Sequence, residues 1–403
     1  MRPARAIALA ALRHQRSGRI ELTEGGRHSV LGPAEAELRV RLEVHDPATW
    51  RRLRHGSVGL AEGYMAGEWD CDDLVSLVRI AARELPRLEP ARRAVHPLRR
   101  LLERVPRNTV KGSRRHISAH YDLGNELFAT FLDETMTYSC AAFDSPEMSL
   151  REAQEAKLER VCRKLELGPS DHLLEIGTGW GSMAIHAAAN HGCRVTTTTI
   201  SREQRALAQQ RVAEAGVGDR VTILLEDYRD LRGRFDKLAS IEMIEAVGWQ
   251  YFDAFFARCR QLIEPGGLAL LQAITIDHRD YELEKATRSF VKKYVFPSGC
   301  LPSVEVMRRS ASRAGLREVG LEDMTASYAL TLSSWRRNFI AAREKVAELG
   351  YDERFRRLWE LYLSWSEGGF RERKIADCQM LLAGPGRGAG GEGGRGLSLA
   401  ARG

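Results

Sequence analysis

The run LLEIGTGWG, residues 173–181, decides the fold. An apolar strand ends in a glycine-rich turn, and Met183, Ile185, Ala187 and Ala188 then open an apolar helical pattern. Strand, glycine loop and helix in that order predict the first unit of a doubly wound nucleotide-binding sheet. Gly177, Gly179 and Gly181 let backbone approach a ligand that any side chain would block. Their spacing is G-x-G-x-G rather than the G-x-G-x-x-G of dinucleotide folds, and the acidic Glu175 and the third glycine, Gly181, bracket the turn. Both features favour S-adenosylmethionine over a nicotinamide dinucleotide as the ligand.

Outward from this loop the pattern alternates. Strands are expected over 173–177, 194–200, 221–225, 236–242 and 268–276, with helices over 151–167, 181–191, 201–215 and 251–262. Pro265, Gly266 and Gly267 read as a turn that ends the last of these helices. Segments 280–300 and 331–376 read as helical material roofing the carboxyl ends of the strands. Residues 19–45 read as short strands around a Gly-Gly turn, and 47–85 as helical around Leu60, Tyr64, Trp69, Leu74 and Val78. Prolines at 86, 90, 97 and 106 mark a linker. The expected division is therefore 1–110, an N-terminal unit with a basic linker; 111–383, a methyltransferase-type α/β domain with a helical lid; and 384–403, a tail with nine glycines that is expected to be disordered.

With 43% hydrophobic and 29% charged residues the composition is that of a soluble globular protein. No stretch approaches the roughly 20 apolar residues of a membrane-spanning helix, and the short apolar run at 6–12 reads as the start of a helix. Seven cysteines lie scattered without a C-x-x-C pair, which argues against a disulfide framework or a zinc site and for a reducing cytoplasm. The net charge of +7 is concentrated: residues 83–115 hold eleven Lys or Arg against three Glu. That segment is either a solvated linker or a dock for anionic phospholipid head groups. No nucleic-acid-binding motif accompanies it.

Further along, the second strand lacks the acidic residue that usually holds a ribose. Ser201 to Gln204 has capping-box spacing at a helix start. Asp227 and Tyr228 follow the third strand, where an adenine ring would lie. Glu242 and Glu245 sit three residues apart at the carboxyl end of the fourth strand, where open α/β sheets place their chemistry. Glu245 is the stronger candidate, and Glu242 also reads as facing solvent.

Upstream stands HYDLGNELFATFLDETMTYSCAAF, residues 120–143. Together with LLEIGTGWGSMAIHAA, MIEAVG and KKYVFPSGCLPS it resembles the cyclopropane fatty acid synthase family, S-adenosylmethionine-dependent enzymes that methylate the cis double bond of acyl chains. The resemblance covers roughly residues 110–383, and the N-terminal part is similar to the smaller domain of the phospholipid-acting members. Carried onto this chain, it implies cofactor contacts at Tyr138, Ser139, Gly177, Gly179, Trp180, Thr199, Gln204, Asp227 and Tyr228. It implies a bicarbonate pocket at Cys140, Glu245, Ile274 and Tyr328, and places Tyr121 against a cationic intermediate.

Two departures stand out. Gln272 replaces the family's histidine in the bicarbonate pocket, and Ser366 replaces a cysteine often described as catalytic. The second argues against a covalent cysteine mechanism; the first bears on the product. Gln272 can still donate to bicarbonate, so both ring closure and an exocyclic methylene stay open, with the methylene favoured. The strand around Gln272 and the SIEMIEAVG run also resemble the actinobacterial branch that makes 10-methylene chains, precursors of 10-methyl, tuberculostearic-type acids. Glu147 is an auxiliary-base candidate that also reads as a solvated loop residue. The implied setting is a homodimer at the cytoplasmic face of the membrane, working on phospholipid, with a separate reductase to turn methylene into methyl. A methyltransferase for a small soluble acceptor and a non-catalytic lipid-binding protein are the rival readings.

Overall fold

The computed structural model describes residues 2–87, 123–297 and 299–387. Tyr121, most of the basic 83–115 stretch and nearly all of the glycine-rich tail lie outside the described residues. Four strands form an N-terminal sheet: β1 (Arg19–Glu24), β2 (Arg27–Leu31), β3 (Arg39–Val44) and β4 (Trp69–Cys71), in the order β2-β1-β3-β4. Gly25 and Gly26 make the β1–β2 turn with φ of 53° and 75°. Trp69 is therefore in a strand rather than the expected helix. The helix Gly56–Met65 ends before Gly67, whose φ is 72°, and the chain then pairs Trp69 with Val44.

The larger sheet has seven strands: β5 (His172–Ile176), β6 (Arg194–Thr198), β7 (Val221–Leu224), β8 (Phe235–Ile241), β9 (Ile263–Ile276), β10 (Arg317–Asp323) and β11 (Ile375–Ala383). Their order is β10-β11-β9-β8-β5-β6-β7. The five strands from β7 to β9 run parallel, and β11 and β10 add antiparallel pairings at one side. Strand order reverses at β5, so the glycine loop that follows it lies at the switch point where such sheets bind ligands.

Two expectations are corrected here. Pro265 to Gly267 do not separate helix from strand: β9 begins at Ile263 and carries the three residues as an irregularity, its pairing with β8 jumping from Phe235–Ile263 to Lys237–Leu268. A Cβ on Gly267 would lie 2.6 Å from the Asp236 carbonyl oxygen, so only glycine allows that approach. The expected helical block 331–376 ends two residues into β11, a strand that was not among those expected and whose apolar run Asp377 and Gln379 interrupt.

Helices Thr325–Ala341 and Glu353–Arg371 form the roof, as expected, while 280–300 holds only the short helices Tyr281–Ala286 and Phe290–Tyr294. One apolar core joins the N-terminal sheet, residues 127–142 and the two roof helices. Ion pairs and hydrogen bonds reinforce the seam: Arg357 to Asp70 and the Trp69 carbonyl, Arg79 and Arg83 to Glu372, and Lys293 to Glu62. Among the described residues no helix is long and apolar enough to cross a membrane.

Candidate active site

The glycine loop takes the backbone its residues permit: φ is 106° at Gly177, 52° at Gly179 and 89° at Gly181. The amides of Gly177 and Thr178 both donate to the Thr198 carbonyl, tying the loop to β6. Beneath it, Glu175 accepts from Thr197 Oγ1 at 2.6 Å, and that hydroxyl meets Thr178 Oγ1 at 2.7 Å. Burial pushes the Glu175 carboxyl up to about 8, against the pull of the Thr197 hydrogen bond.

A raised folded-state value means that Glu175 contributes stability below the ordinary carboxylate range, lost as pH rises through about 8. Glu175→Gln keeps an acceptor for Thr197 and removes the titration. Its melting temperature relative to wild type should therefore climb between pH 4.5 and about 8. Thermal unfolding across that range checks this, and a difference independent of pH contradicts it.

The remaining cofactor-side candidates are each held by contacts of their own. Thr199 donates to Gln204 at 2.8 Å, and Ser201 caps the helix Arg202–Glu214 by accepting from the Gln204 amide. Asp227 is buried and paired with Arg229 at 2.6 Å, and the Tyr228 ring packs edge-on against Phe255. Trp180 donates to Asn125 at 2.7 Å and packs on Phe128, which also touches the Tyr138 ring. Tyr138 in turn bonds the Tyr362 hydroxyl of the roof at 2.9 Å. Ser139 accepts from the Lys157 ammonium at 2.9 Å through its hydroxyl, and from Gln154 at 2.8 Å through its carbonyl.

Beside this lies a buried polar network with Glu242 at its centre. The Glu242 carboxylate accepts from the Cys140 amide at 2.7 Å, from the Tyr328 hydroxyl at 2.5 Å and from Gln272 Nε2 at 3.1 Å. It is not turned to solvent. Its backbone is left-handed, with φ of 49°, a conformation that costs a non-glycine residue of order 1–3 kcal/mol and concentrates at functional sites. Gln272 also donates to Asp377 at 3.1 Å and to the Cys140 carbonyl at 3.3 Å, and accepts from Gln379 at 3.0 Å. The β9–β11 register sets this up, placing Gln379 opposite Gln272 and Asp377 opposite Ile274. Glu245 takes the Ile274 amide at 2.5 Å on one oxygen, and its other oxygen is buried without a hydrogen-bond partner.

The electrostatics follow from three acids brought close together, with Asp377 fully buried. Burial raises Glu242, and burial with the Glu242 and Glu245 charges raises Asp377 well above the carboxylate range. Burial and the Glu242 charge bring Glu245 to about 8. Glu242 receives three donors while one Asp377 oxygen receives none, so Glu242 is the carboxylate of the pair and Asp377 the acid. Lys157 is fully buried, and desolvation lowers it. Burial first, then the Asp377 and Glu242 charges, push the Cys140 thiol well up, so it is no nucleophile.

Cys140, Glu245, Gln272, Ile274 and Tyr328 are thus brought together as expected, but they do not fit bicarbonate. The Cys140 amide, Gln272 and Tyr328 all donate to Glu242, and the Ile274 amide donates to Glu245. A side-chain carboxylate already stands in the anion's place. Glu147 is exposed and bonded only to its loop neighbour Ser145, which removes it as an auxiliary base. Ser366 lies half-buried on the roof helix. Sequence reasoning missed Lys157, Asp377 and Gln379; the signal for Glu242, a second acid beside Glu245, was visible but undervalued.

Comparison with known proteins agrees with this fold. Residues 108–380 match the family described as mycolic acid cyclopropane synthetase. The tuberculostearic acid methyltransferase UfaA1 of Mycobacterium tuberculosis is 44% identical over 355 residues, covering 85% of this chain and 82% of the relative. The cyclopropane-fatty-acyl-phospholipid synthase of Escherichia coli is 36% identical over 370 residues, covering 90% and 92%. The solved structure of the mycolic acid cyclopropane synthase CmaA1 complexed with SAH and CTAB superimposes with a TM-score of 0.63 at 31% identity, over 67% of this chain and 98% of that one. The glycine loop at the switch point, the sheet around it and these matches together place the chain in the mycolic acid cyclopropane synthetase family.

Proposed function

We propose that this chain methylates the cis double bond of phospholipid-bound unsaturated acyl chains of the oleoyl type, gives a 10-methylene chain, and uses Glu242 as the base. The observation that carries the proposal is the Glu242 carboxylate, which accepts from the Cys140 amide, Gln272 and Tyr328. The chain is an S-adenosylmethionine-dependent methyltransferase of lipid acyl chains. Its loop suits that cofactor: a Cβ at Gly179 would meet nothing within 4 Å, leaving open backbone for a ligand at the strand end.

When bound, S-adenosylmethionine supplies an electrophilic methyl group, and the alkene that takes it becomes a carbocation. The protein's own part is to keep water away and accept one proton. Buried rings do the first: Tyr328 stacks on Phe370 at 4.3 Å, and Trp335 and Tyr138 lie 5.2 Å apart. Glu242 does the second. Ring closure requires removal of a proton from the new methyl while the cation is still on the neighbouring carbon. A hydride shift that precedes proton loss places the cation on the methyl-bearing carbon, and loss from the methyl then yields the exocyclic methylene. Burial holds Glu242 above the ordinary carboxylate range in spite of its three donors, which suits it to take that proton. The likeness to a relative named for tuberculostearic acid supports the same product.

Cyclopropane formation is the second reading, favoured by the 36% identical synthase. Mass spectrometry and proton NMR of lipids from a host making oleoyl phospholipids, with and without this protein, separate them. A gain of one methylene unit with vinylidene protons is expected. Upfield cyclopropane protons would establish the ring, and no gain with cofactor bound would favour a small-molecule acceptor.

The proposal extends to the setting. Residues 1–110 form a lipid-docking and dimerisation unit, and the basic 83–115 stretch holds the protein on an anionic, cytoplasmic membrane face. The methyltransferase unit proper is 111–383 and 384–403 is an appendage. A separate reductase completes a 10-methyl product.

A further inference from the structure

We propose that Cys162, His186 and His191, with Glu159, form a binding site for a zinc-class divalent cation between the helices Leu150–Lys164 and Ser182–His191. The ligand atoms of the first three all lie within 4.8 Å of one another. His186 Nε2 and His191 Nε2 converge on one oxygen of Glu159, at 3.2 and 3.0 Å. A tetrahedral zinc ion with nitrogen and oxygen ligands has ligand-to-ligand edges of about 3.3 Å, close to both spacings. Thiolate, imidazole and carboxylate are the donor set that zinc prefers.

The hydrogen bonding of His191 points to an occupant. Its Nδ1 lies 3.3 Å from the Leu167 carbonyl oxygen, an acceptor that needs an N–H opposite it. If the neutral ring spends its single proton on Glu159 through Nε2, two lone pairs face each other at Nδ1. A metal on Nε2 places the proton on Nδ1 and satisfies both sides, as in the outer-shell arrangement of metal-bound histidines. The competing solution is a second proton on His191, without metal.

Access and role are consistent with a structural ion. Cys162 is fully buried, whereas the side chains of His186 and His191 are 13% and 17% exposed, so a cation can enter past the rings. Binding would release the Cys162 thiol proton to solvent as the sulfur joins the metal. Cys162 and Glu159 lie on the helix Leu150–Lys164, and the two histidines on Ser182–His191. The ion would clamp the helix that follows the glycine loop to the helix that carries Lys157. No spacing in the sequence announces this site, because its two halves come from different helices.

Full-length protein stripped with chelator and titrated anaerobically with Co²⁺ tests the proposal. The expected result is saturable binding with a thiolate-to-cobalt charge-transfer band, lost in Cys162→Ser, and affinity at least about tenfold weaker in His191→Gln. Zn²⁺ should displace the cobalt and raise the melting temperature of wild type but not of the His186→Asn, His191→Gln double variant. Those histidines are partly exposed, so the double variant serves even where Cys162→Ser does not fold. No charge-transfer band at saturating Co²⁺, or a band unchanged in the double variant, would overturn the proposal in favour of a protonated His191.

Discussion

Glu242→Gln is expected to lower methylated-lipid formation by roughly 10²- to 10⁴-fold while leaving cofactor affinity near wild type, the range that removal of a positioned base spans. The substitution keeps the size of the side chain and replaces the oxygen that takes the proton with an amide. It also sets an NH₂ group against donors, since Cys140 N, Tyr328 Oη and Gln272 Nε2 all point toward this carboxylate. The effect belongs in kcat, because the cofactor loop, tied by its own amides to Thr198, does not depend on Glu242. Activity in wild type should rise with pH, because the carboxylate is the working form and burial displaces its titration above the ordinary carboxylate range. Asp377→Asn gives the complementary test. Asp377 already carries the proton of the pair, so replacing it with the neutral amide should leave that rising limb where wild type has it. Rate profiles of the three proteins decide the matter: a Glu242→Gln variant with wild-type turnover would remove Glu242 from the chemistry, and added bicarbonate should rescue neither variant.

Phe128→Ala should destabilise the protein by about 3–5 kcal/mol, the usual cost of deleting a buried aromatic ring. That is a large share of the roughly 5–15 kcal/mol that holds a domain together. Phe128 has no exposed surface and packs against Tyr138, Trp180, Phe131 and Trp359 with ring centroids 4.9–6.2 Å apart. The lost ring leaves Tyr138 and Trp180, two of the cofactor-side candidates, without their shared wall. Denaturant unfolding should therefore show a lower midpoint, and cofactor titration a weaker affinity, in the same variant. A stable variant with weakened cofactor binding would mean that the cluster collapses around the gap and that only the wall is lost.

Much of the fold was legible because its signals are local. The glycine loop, the parallel strands β5 to β8 and their intervening helices each announce themselves within a dozen residues, through strand runs, caps and glycines. The cap at Ser201 is of this kind. Where the reading failed, a local signal was ambiguous, as in a proline–glycine–glycine run that serves equally as a turn or a strand irregularity, or broken, as in β11, whose apolar run Asp377 and Gln379 interrupt.

The chemistry of the second pocket was decided elsewhere. Chain order alone established that acids follow the fourth strand of the parallel set, and that Gln272 stands where the resemblance implies a histidine. It could not tell which acid turns inward. That depends on the left-handed backbone at Glu242 and on donors from residues 140, 272 and 328, segments separated by more than a hundred residues from at least one partner. The β9–β11 register then brings Asp377 and Gln379 alongside, and helix packing places Cys162 against His186 and His191. Periodicity and glycine spacing express the conformational preferences of neighbouring residues, and so specify the loop and its sheet. A buried carboxylate's charge depends on every donor and dipole within a few ångströms, and only the folded chain chooses those neighbours.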